Sequence, residues 1–391
     1  MIKIIISGGG TGGHVFPAIA IANALKALRS DLDILFIGAK GRMEMEKVPA
    51  AGYNIEGLTI SGFQRRLTWK NLTFPIKLMA SMMQARSILK KFHPHVVIGV
   101  GGYASGPILR VATAHHIPTL IQEQNSFPGV TNRLLGARVD RICVAYDGMQ
   151  KFFPKDKLVV TGNPIRQDLV NLPGKDKEAY SHFGLTPGKK VVLVIGGSLG
   201  AGTINQAILA FLDNGFDPDT MQLIWQTGKN YFDSIQSKIV HRNSEIVNRR
   251  PAGQAGNSNI GTVLPFIDRM DLAYAAADLV VSRAGAIAIS ELCAVAKPVI
   301  LIPSPNVAED HQTKNARTLA DKKAAVLVRD ADALEKLGAV ISDLLNNESL
   351  SEEIKKNIAP LAKTDAAFHI AQEALNLIPG LNPDERRNHE S

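Results

Sequence analysis

Cysteine is almost missing from this chain of 391 residues: there are two, Cys143 and Cys293, each inside an apolar stretch and with no CxxC spacing. That excludes a disulfide framework and a thiolate metal site, and points to buried free thiols in a reducing compartment. Long apolar runs are missing too. No window reaches the roughly 18–20 unbroken apolar residues of a spanning helix, and Met1 leads into a strand-like run rather than a secretory leader. There is no low-complexity tract, and apolar residues make up 45% of the chain, so disordered and fibrous classes fall away. No His/Cys/Asp/Glu spacing reads as a metal site; His93-Pro94-His95 and His115-His116 flank strands as surface residues. The N-terminal half is short of acid. Residues 1–163 hold 20 Lys and Arg against 9 Asp and Glu, while the whole chain is +8. A basic half predicts an anionic partner: a nucleic acid, a phosphorylated ligand or an acidic membrane surface.

Glycine, by contrast, is placed with purpose. KIIISGGGTGGHVFPA opens the chain and KKVVLVIGGSLGAGTIN recurs near its middle. Each is a β-branched run, a glycine cluster and a helical stretch, a grammar that presents backbone N–H groups and a positive dipole end to a ligand. Gly8, Gly10 and Gly13 formally satisfy GxGxxG, but a nicotinamide site also needs an acid at the tip of the second strand. That tip reads IGAKGRME, with Lys40 in the acid's place. Thr11, Gly12 and Gly13 offer amides to a phosphate or a sugar. His14 stands at the helix start, where the dipole disfavours the imidazolium, and reads as a base or as a cap of its own turn. In the second loop Ser198 adds a hydroxyl suited to a diphosphate, or an N-cap.

Other polar clusters also fall at strand ends, where ligands of doubly wound sheets bind. Gly101–Pro107 is too rich in glycine for ordinary packing. Gln122-Glu123-Gln124-Asn125-Ser126 places five polar residues in a row, fit for sugar hydroxyls, for orienting a base, or for a solvated loop. In SRAGAIAISE, Glu291 lies one turn into a helix and can accept two ribose hydroxyls, or serve as a first-turn acid. Ala308–Ala316 carries His311 and Gln312, as ligand contacts or caps.

Strands are expected at Lys3–Ser7, Ile34–Ile37, Val96–Val100, Thr119–Gln122, Arg141–Val144 and Leu158–Thr161, with helices at Ala18–Leu28 and Ile76–Lys91. After a break near Gly162–Arg166, a second set follows at Val191–Ile195, Gln222–Gln226, Gly261–Leu264, Leu279–Ser282, Val299–Ile302 and Ala325–Leu327. The alternation predicts α/β architecture with parallel sheets in two domains. The expected boundaries are 1–166, 167–365, a C-terminal helix in 366–380 that packs back on the first domain, and a disordered tail over 381–391. Val240–Asn259, polar and without period, reads as a mobile insertion.

Taken in order, GGTGGHVFPA, GVGGYASGP, QEQNSFPGVTN, GNPIR, GGSLGAGTIN, FIDRM, SRAGAIAISE and EDHQTKNA resemble the motifs of the MurG family of peptidoglycan N-acetylglucosaminyltransferases, in glycosyltransferase family 28. The likeness runs over residues 2–375. It implies the GT-B fold, two Rossmann-like domains facing a cleft, and an inverting transfer of GlcNAc from UDP-GlcNAc to the C4 hydroxyl of the MurNAc of lipid I, giving lipid II. It implies Thr11, Gly12, Gly13, Asn125, Arg166, Ser198, Ile267, Ala286, Ile287, Ala288, Ile289, Ser290, Glu291 and Gln312 as substrate contacts, all to the UDP-GlcNAc donor. Ile267 would meet the uracil through its backbone, Glu291 the ribose, Ser198 the diphosphate and Gln312 the sugar hydroxyls. His14 and Glu123 are the implied catalytic pair, with His14 as base and Glu123 as alternative base or orienting partner. Neither a metal nor a separate cofactor is implied, nor a nucleic acid. The implied location is the cytoplasmic face of the cell membrane, held peripherally through the basic, aromatic stretch Phe63–Lys70 and Phe74–Lys91. The sequence departs from the family pattern at Leu199, where glutamine is frequent. Competing readings are a UDP-GlcNAc epimerase, a glycolipid glycosyltransferase, a nicotinamide oxidoreductase and a non-catalytic UDP-sugar-binding subunit.

Overall fold

In the computed structural model, residues 1–60, 74–170, 172, 177–197, 199–249, 260–307 and 310–381 are described. The first sheet has seven parallel strands in the order β3-β2-β1-β4-β5-β6-β7. They are β1 (Ile2–Gly8), β2 (Leu32–Ala39), β3 (Asn54–Leu58), β4 (Val96–Gly101), β5 (Thr119–Glu123), β6 (Arg141–Val144) and β7 (Leu158–Val160). The second sheet has six, in the order β10-β9-β8-β11-β12-β13. These are β8 (Lys190–Ile195), β9 (Met221–Gln226), β10 (Gly261–Leu264), β11 (Leu279–Ser282), β12 (Val299–Leu301) and β13 (Val326–Leu327).

The helices of the first unit are α1 (Gly12–Leu28), α2 (Glu44–Ala50), α3 (Phe74–Phe92), α4 (Ser105–Ala114) and α5 (Val130–Gly136). Those of the second are α6 (Lys177–His182), α7 (Gly202–Asn214), α8 (Lys229–Arg249), α9 (Met270–Ala276), α10 (Ala286–Val295), α11 (His311–Ala320), α12 (Ala333–Asn346) and α13 (Glu348–Ile358). The last helix, α14 (Ala366–Asn376), returns to the first unit. The boundaries fall after Gln167 and after Ala362.

Each sheet is apolar on both faces, as parallel strands covered by helices must be. In the first unit Ile4, Ile6, Val96 and Ile98 meet α1 and α14 on one side, while Ile5, Val97 and Ile121 meet α3, α4 and α5 on the other. Small residues let α14 lie close to α1: Ala367, Ala371 and Ala374 are fully buried, and Ile370 adds about 1.5–3 kcal/mol of apolar burial. Arg141 Nε at the start of β6 lies 3.0 Å from Glu373 Oε2 of α14, an ion pair between the two. In the second unit Val191 and Leu193 face one core, and Val192, Val194 and Trp225 the other.

Three details depart from the sequence reading. Asn54–Leu58 is a strand although three of its five residues are polar or glycine; it is an edge strand, so it needs no two-faced apolar run. The stretch from Val240 is not an unstructured insertion as far as Arg249, because α8 continues through it. A helix of polar sequence shows no apolar stripe, and that removes the usual periodic signal. Residues 250–259, the segment Phe63–Lys70 and the tail 382–391 lie outside the described residues. His95 also has a structural task, since its Nδ1 accepts the Lys3 N–H at 3.0 Å.

Candidate functional site

Strand order locates the sites. In the first sheet the direction of winding reverses between β1 and β4, and in the second between β8 and β11. Crevices for ligands open at such reversals, beyond the carboxyl ends of the strands. Both glycine loops of the sequence sit there.

In the first unit Gly8 ends β1 and the chain turns through Gly9 and Gly10 into α1, with Thr11 as extended N-cap. The loop after β4 lies directly against it. Gly9 N–H donates to the Gly101 carbonyl at 3.3 Å, and a Cβ on Gly102 would meet the Gly9 oxygen at 2.3 Å. Gly101 and Gly102 both have left-handed φ, +100° and +90°, so glycine is required there twice over. Ser105 clasps the two strand ends, its hydroxyl donating to the Ser7 carbonyl at 2.8 Å or the Gly101 carbonyl at 2.9 Å.

His14 rests on this platform. A Cβ on Gly101 would come within 2.7 Å of its Nε2, so the Cδ2–Nε2 edge of the ring lies against bare backbone. Its Nδ1 is 3.2 Å from Thr11 Oγ1. Loss of solvation holds the imidazole below the ordinary histidine value, while a backbone hydrogen bond to Gly9 and the charge of Glu44 act the other way. A neutral ring at neutral pH can accept a proton.

Sequence reasoning missed Glu44, in the very stretch where it looked for an acid. It opens α2, is fully buried, and accepts the Gly10 N–H at Oε2 (2.9 Å) and the Ala39 N–H at Oε1 (3.0 Å). A phosphate at the Gly10 amide would meet a carboxylate already in place. At that amide the geometry favours an uncharged group over a phosphate. The missed signal was the glycine pair Gly9 and Gly38, whose absent side chains make room for Glu44.

Glu123 ends β5 and is buried. Its Oε1 accepts the Asn125 N–H (3.0 Å) and Nδ2 (3.3 Å), and its Oε2 accepts the Gly129 N–H (3.0 Å) and Asn132 Nδ2 (2.8 Å). Burial raises its pKa and these four donors oppose the rise. Both oxygens hold the loop that carries Asn125. All four donors come from the stretch 125–132, so Glu123 holds that loop, and Glu44 acts on His14 by its charge. The neighbouring Gln122 and Gln124 are tied to Asn163 of the GNPIR motif, with Gln122 Nε2 donating to Asn163 Oδ1 at 3.1 Å and Asn163 Nδ2 to the Gln124 carbonyl at 3.2 Å. Three residues on, the Arg166 guanidinium lies 5.6 Å from the centre of the Phe16 ring on α1.

In the second unit the turn from β8 into α7 has left-handed glycines at Gly197 and Gly200; Ser198, between them, lies outside the described residues. Gly200 abuts Thr227, where a Cβ would come within 2.0 Å of the carbonyl oxygen. Gln226, buried at the end of β9, joins two loops: its Nε2 donates to the Gly197 carbonyl and its Oε1 accepts the Ile267 N–H, each at 2.9 Å. The Ile267 N–H is therefore taken by Gln226 and its carbonyl is not part of this link. Asn205 Nδ2 donates to the Thr227 carbonyl at 2.9 Å and Trp225 Nε1 to Asn205 Oδ1 at 3.0 Å, which fixes α7 beside β9.

The turn from β11 into α10 places Gly285 as N-cap with no side-chain cap on the first turn. Ile289 points into the core, and the Ser290 hydroxyl donates back to the Ala286 carbonyl at 3.1 Å. A ligand along Ala286–Ile289 thus meets backbone, with Ile287 and Ala288 half-buried beside it. Glu291 follows, half-buried, and accepts from the Tyr274 hydroxyl at 3.4 Å. Asn315 of α11 donates to the Ala284 carbonyl at 3.3 Å, and Gln312 Oε1 accepts the Ser304 N–H at 2.8 Å, leaving its NH₂ as the group to donate. Among the described residues no cluster of His, Cys, Asp and Glu could hold a metal ion.

Two Rossmann-like units, each with a glycine turn at its winding reversal, one with a histidine and one with a helix start and a carboxylate, define a GT-B nucleotide-sugar enzyme. The chain belongs to glycosyltransferase family 28: the family's N-terminal domain model matches residues 4–144 and its C-terminal domain model 191–371. It is 52% identical over 376 residues to the UDP-N-acetylglucosamine--N-acetylmuramyl-(pentapeptide) pyrophosphoryl-undecaprenol N-acetylglucosamine transferase of Bacteroides fragilis, covering 96% of each chain. To the protein of the same name from Flavobacterium psychrophilum it is 49% identical, covering 96% and 98%. It is also similar to the crystal structure of Acinetobacter baumannii MurG, with a TM-score of 0.70 and 26% identity over 96% of this chain and 99% of that one.

Proposed function

We infer that this chain transfers N-acetylglucosamine from UDP-GlcNAc to the C4 hydroxyl of the N-acetylmuramoyl sugar of lipid I, with inversion, to give lipid II. The observation that carries this is the 49–52% identity spread over 96% of the chain to transferases of that name. The site supports it, because its two units carry different chemistry rather than two copies of one nucleotide site.

The donor half belongs to the second unit. The α7 and α10 starts bind the diphosphate, to which the resemblance also assigns Ser198; the Ile267 backbone meets the uracil, Glu291 the ribose and Gln312 the sugar. The acceptor side belongs to the first unit with His14, and Thr11–Gly13, Asn125 and Arg166 of that unit add further contacts to the donor. As the acceptor O4 bonds to C1 of the sugar, the bond from C1 to the diphosphate oxygen breaks and UDP leaves with the electron pair. The O4 proton passes to His14. The dipoles of the helix starts and Arg166 stabilise the charge that develops on UDP.

A lipid-linked acceptor calls for a place at the membrane surface, and we place the enzyme there as a peripheral protein on the cytoplasmic face. Among the described residues no helix is long and apolar enough to cross a membrane. What supports docking is α3, where Ile76, Met79 and Met83 are 72%, 69% and 70% exposed. Arg86 and Lys90 continue the same stripe at helical spacing. Incubation with UDP-GlcNAc and a lipid I analogue tests the function: UDP release that needs both supports it, and donor binding without acceptor-dependent release sinks it.

A further inference from the structure

Glu44 does more than fill the first glycine loop. Its carboxylate reaches back from α2 to two separate strand ends, the Gly10 N–H beyond β1 and the Ala39 N–H at the end of β2. The fit is close: a Cβ on Gly9 would stand 2.2 Å from Glu44 Oε1, and one on Gly38 2.6 Å from its Cγ. Gly9 in turn holds the Gly101 carbonyl, and Gly101 is the floor on which the His14 ring lies. Glu44 is thus two steps from the ring through the backbone, and it also acts on the ring through space.

We propose that Glu44 is a positioning residue for the transfer, an anion built into the first glycine loop that holds the loop and sets the orientation and basicity of His14. The proposal rests on the reading of His14 as the base that takes the acceptor proton. The groups that face the ring are the Thr11 hydroxyl from the start of α1, the backbone of Gly9 and Gly101, and Glu44 from α2. Glu44 is the charged member of that surround, and its field favours the imidazolium against the loss of solvation.

Glu44→Gln keeps the size of the side chain, removes the charge and turns an NH₂ toward one of two N–H donors. In the free protein, the His14 ring titration followed by NMR then moves to lower pH, by about half a unit or more. In the assay kcat falls about tenfold to a hundredfold, its acid limb moves to lower pH with the ring, and KM for UDP-GlcNAc stays put. Gly9→Ala is the second variant. Its methyl occupies the carboxylate's place while the charge remains, and kcat falls again at unchanged KM. If Glu44→Gln does not fold, Gly9→Ala decides alone, and unchanged kcat there overturns the proposal. So does a Glu44→Gln protein whose ring titration and acid limb both stay where they were, whatever its kcat. A displaced ring titration in a protein that transfers no sugar overturns the assigned reaction instead and leaves Glu44's hold on His14 standing.

Discussion

Thr11 Oγ1 lies 3.2 Å from His14 Nδ1, one turn apart at the start of α1. The hydroxyl sits where it can fix the tautomer and leave Nε2 as the atom that faces Gly101. Thr11→Val keeps the shape and removes that partner. The expected result is a kcat lower by about tenfold with the donor affinity unchanged, read from steady-state UDP release beside calorimetric UDP binding.

The pH dependence has a definite sign. A base must be neutral to work, and His14 titrates below the ordinary 6.5 because its ring has lost solvation. Activity is therefore flat above pH 6.5 on this limb and is lost as the pH falls through the depressed value. A kcat profile in wild type and in His14→Ala checks it: the variant loses about 10²–10⁴-fold and shows no such limb.

Glu123→Gln separates a clasp from a base. Two of the four donors on Glu123 lose their acceptor, and a buried donor left unmet costs about 1–3 kcal/mol. Chemical denaturation then shows a protein less stable by that order, while the acid limb of kcat stays where it is in wild type. A limb that vanishes with the carboxylate would return Glu123 to the proton transfer.

Gln226 makes the matching prediction for the donor. Replacing it with Leu leaves the Ile267 N–H and the Gly197 carbonyl without the side chain that joins them. UDP binding measured by calorimetry weakens by about tenfold, corresponding to roughly 1.4 kcal/mol, and the pH profile of kcat keeps its shape.

For the membrane surface, an Ile76→Ser, Met79→Ser, Met83→Ser triple variant is expected to float poorly with anionic vesicles at moderate salt. Wild type is expected to float with them. Because these side chains are exposed, the melting temperature changes little. Equal flotation of the two proteins would count against docking through α3.

Strands were legible where the chain is buried, and Leu279–Ser282 and Arg141–Val144 fall where the pattern puts them; Gly261–Leu264 does too, although it is a half-buried edge strand. The edge strand at Asn54–Leu58 and the polar half of α8 escaped, since neither needs the apolar period that marks an element. The site was legible as a set of motifs at strand ends. What each polar group is bonded to was not, because Glu44, Gln226 and Asn163 reach partners 34, 41 and 39 residues away. A lone acid in RME or a lone Gln in WQTG carries no local sign of which backbone it holds. Only the crossing of the strands brings those groups together.

The most direct test of the account is the structure of the product. Incubated with UDP-GlcNAc and a lipid I analogue, the protein is expected to give one UDP per disaccharide, with the new GlcNAc linked β to the C4 oxygen of the muramoyl sugar by NMR. An α linkage would contradict inversion by a single displacement. Conversion of UDP-GlcNAc to its C2 epimer without acceptor would contradict the transfer itself.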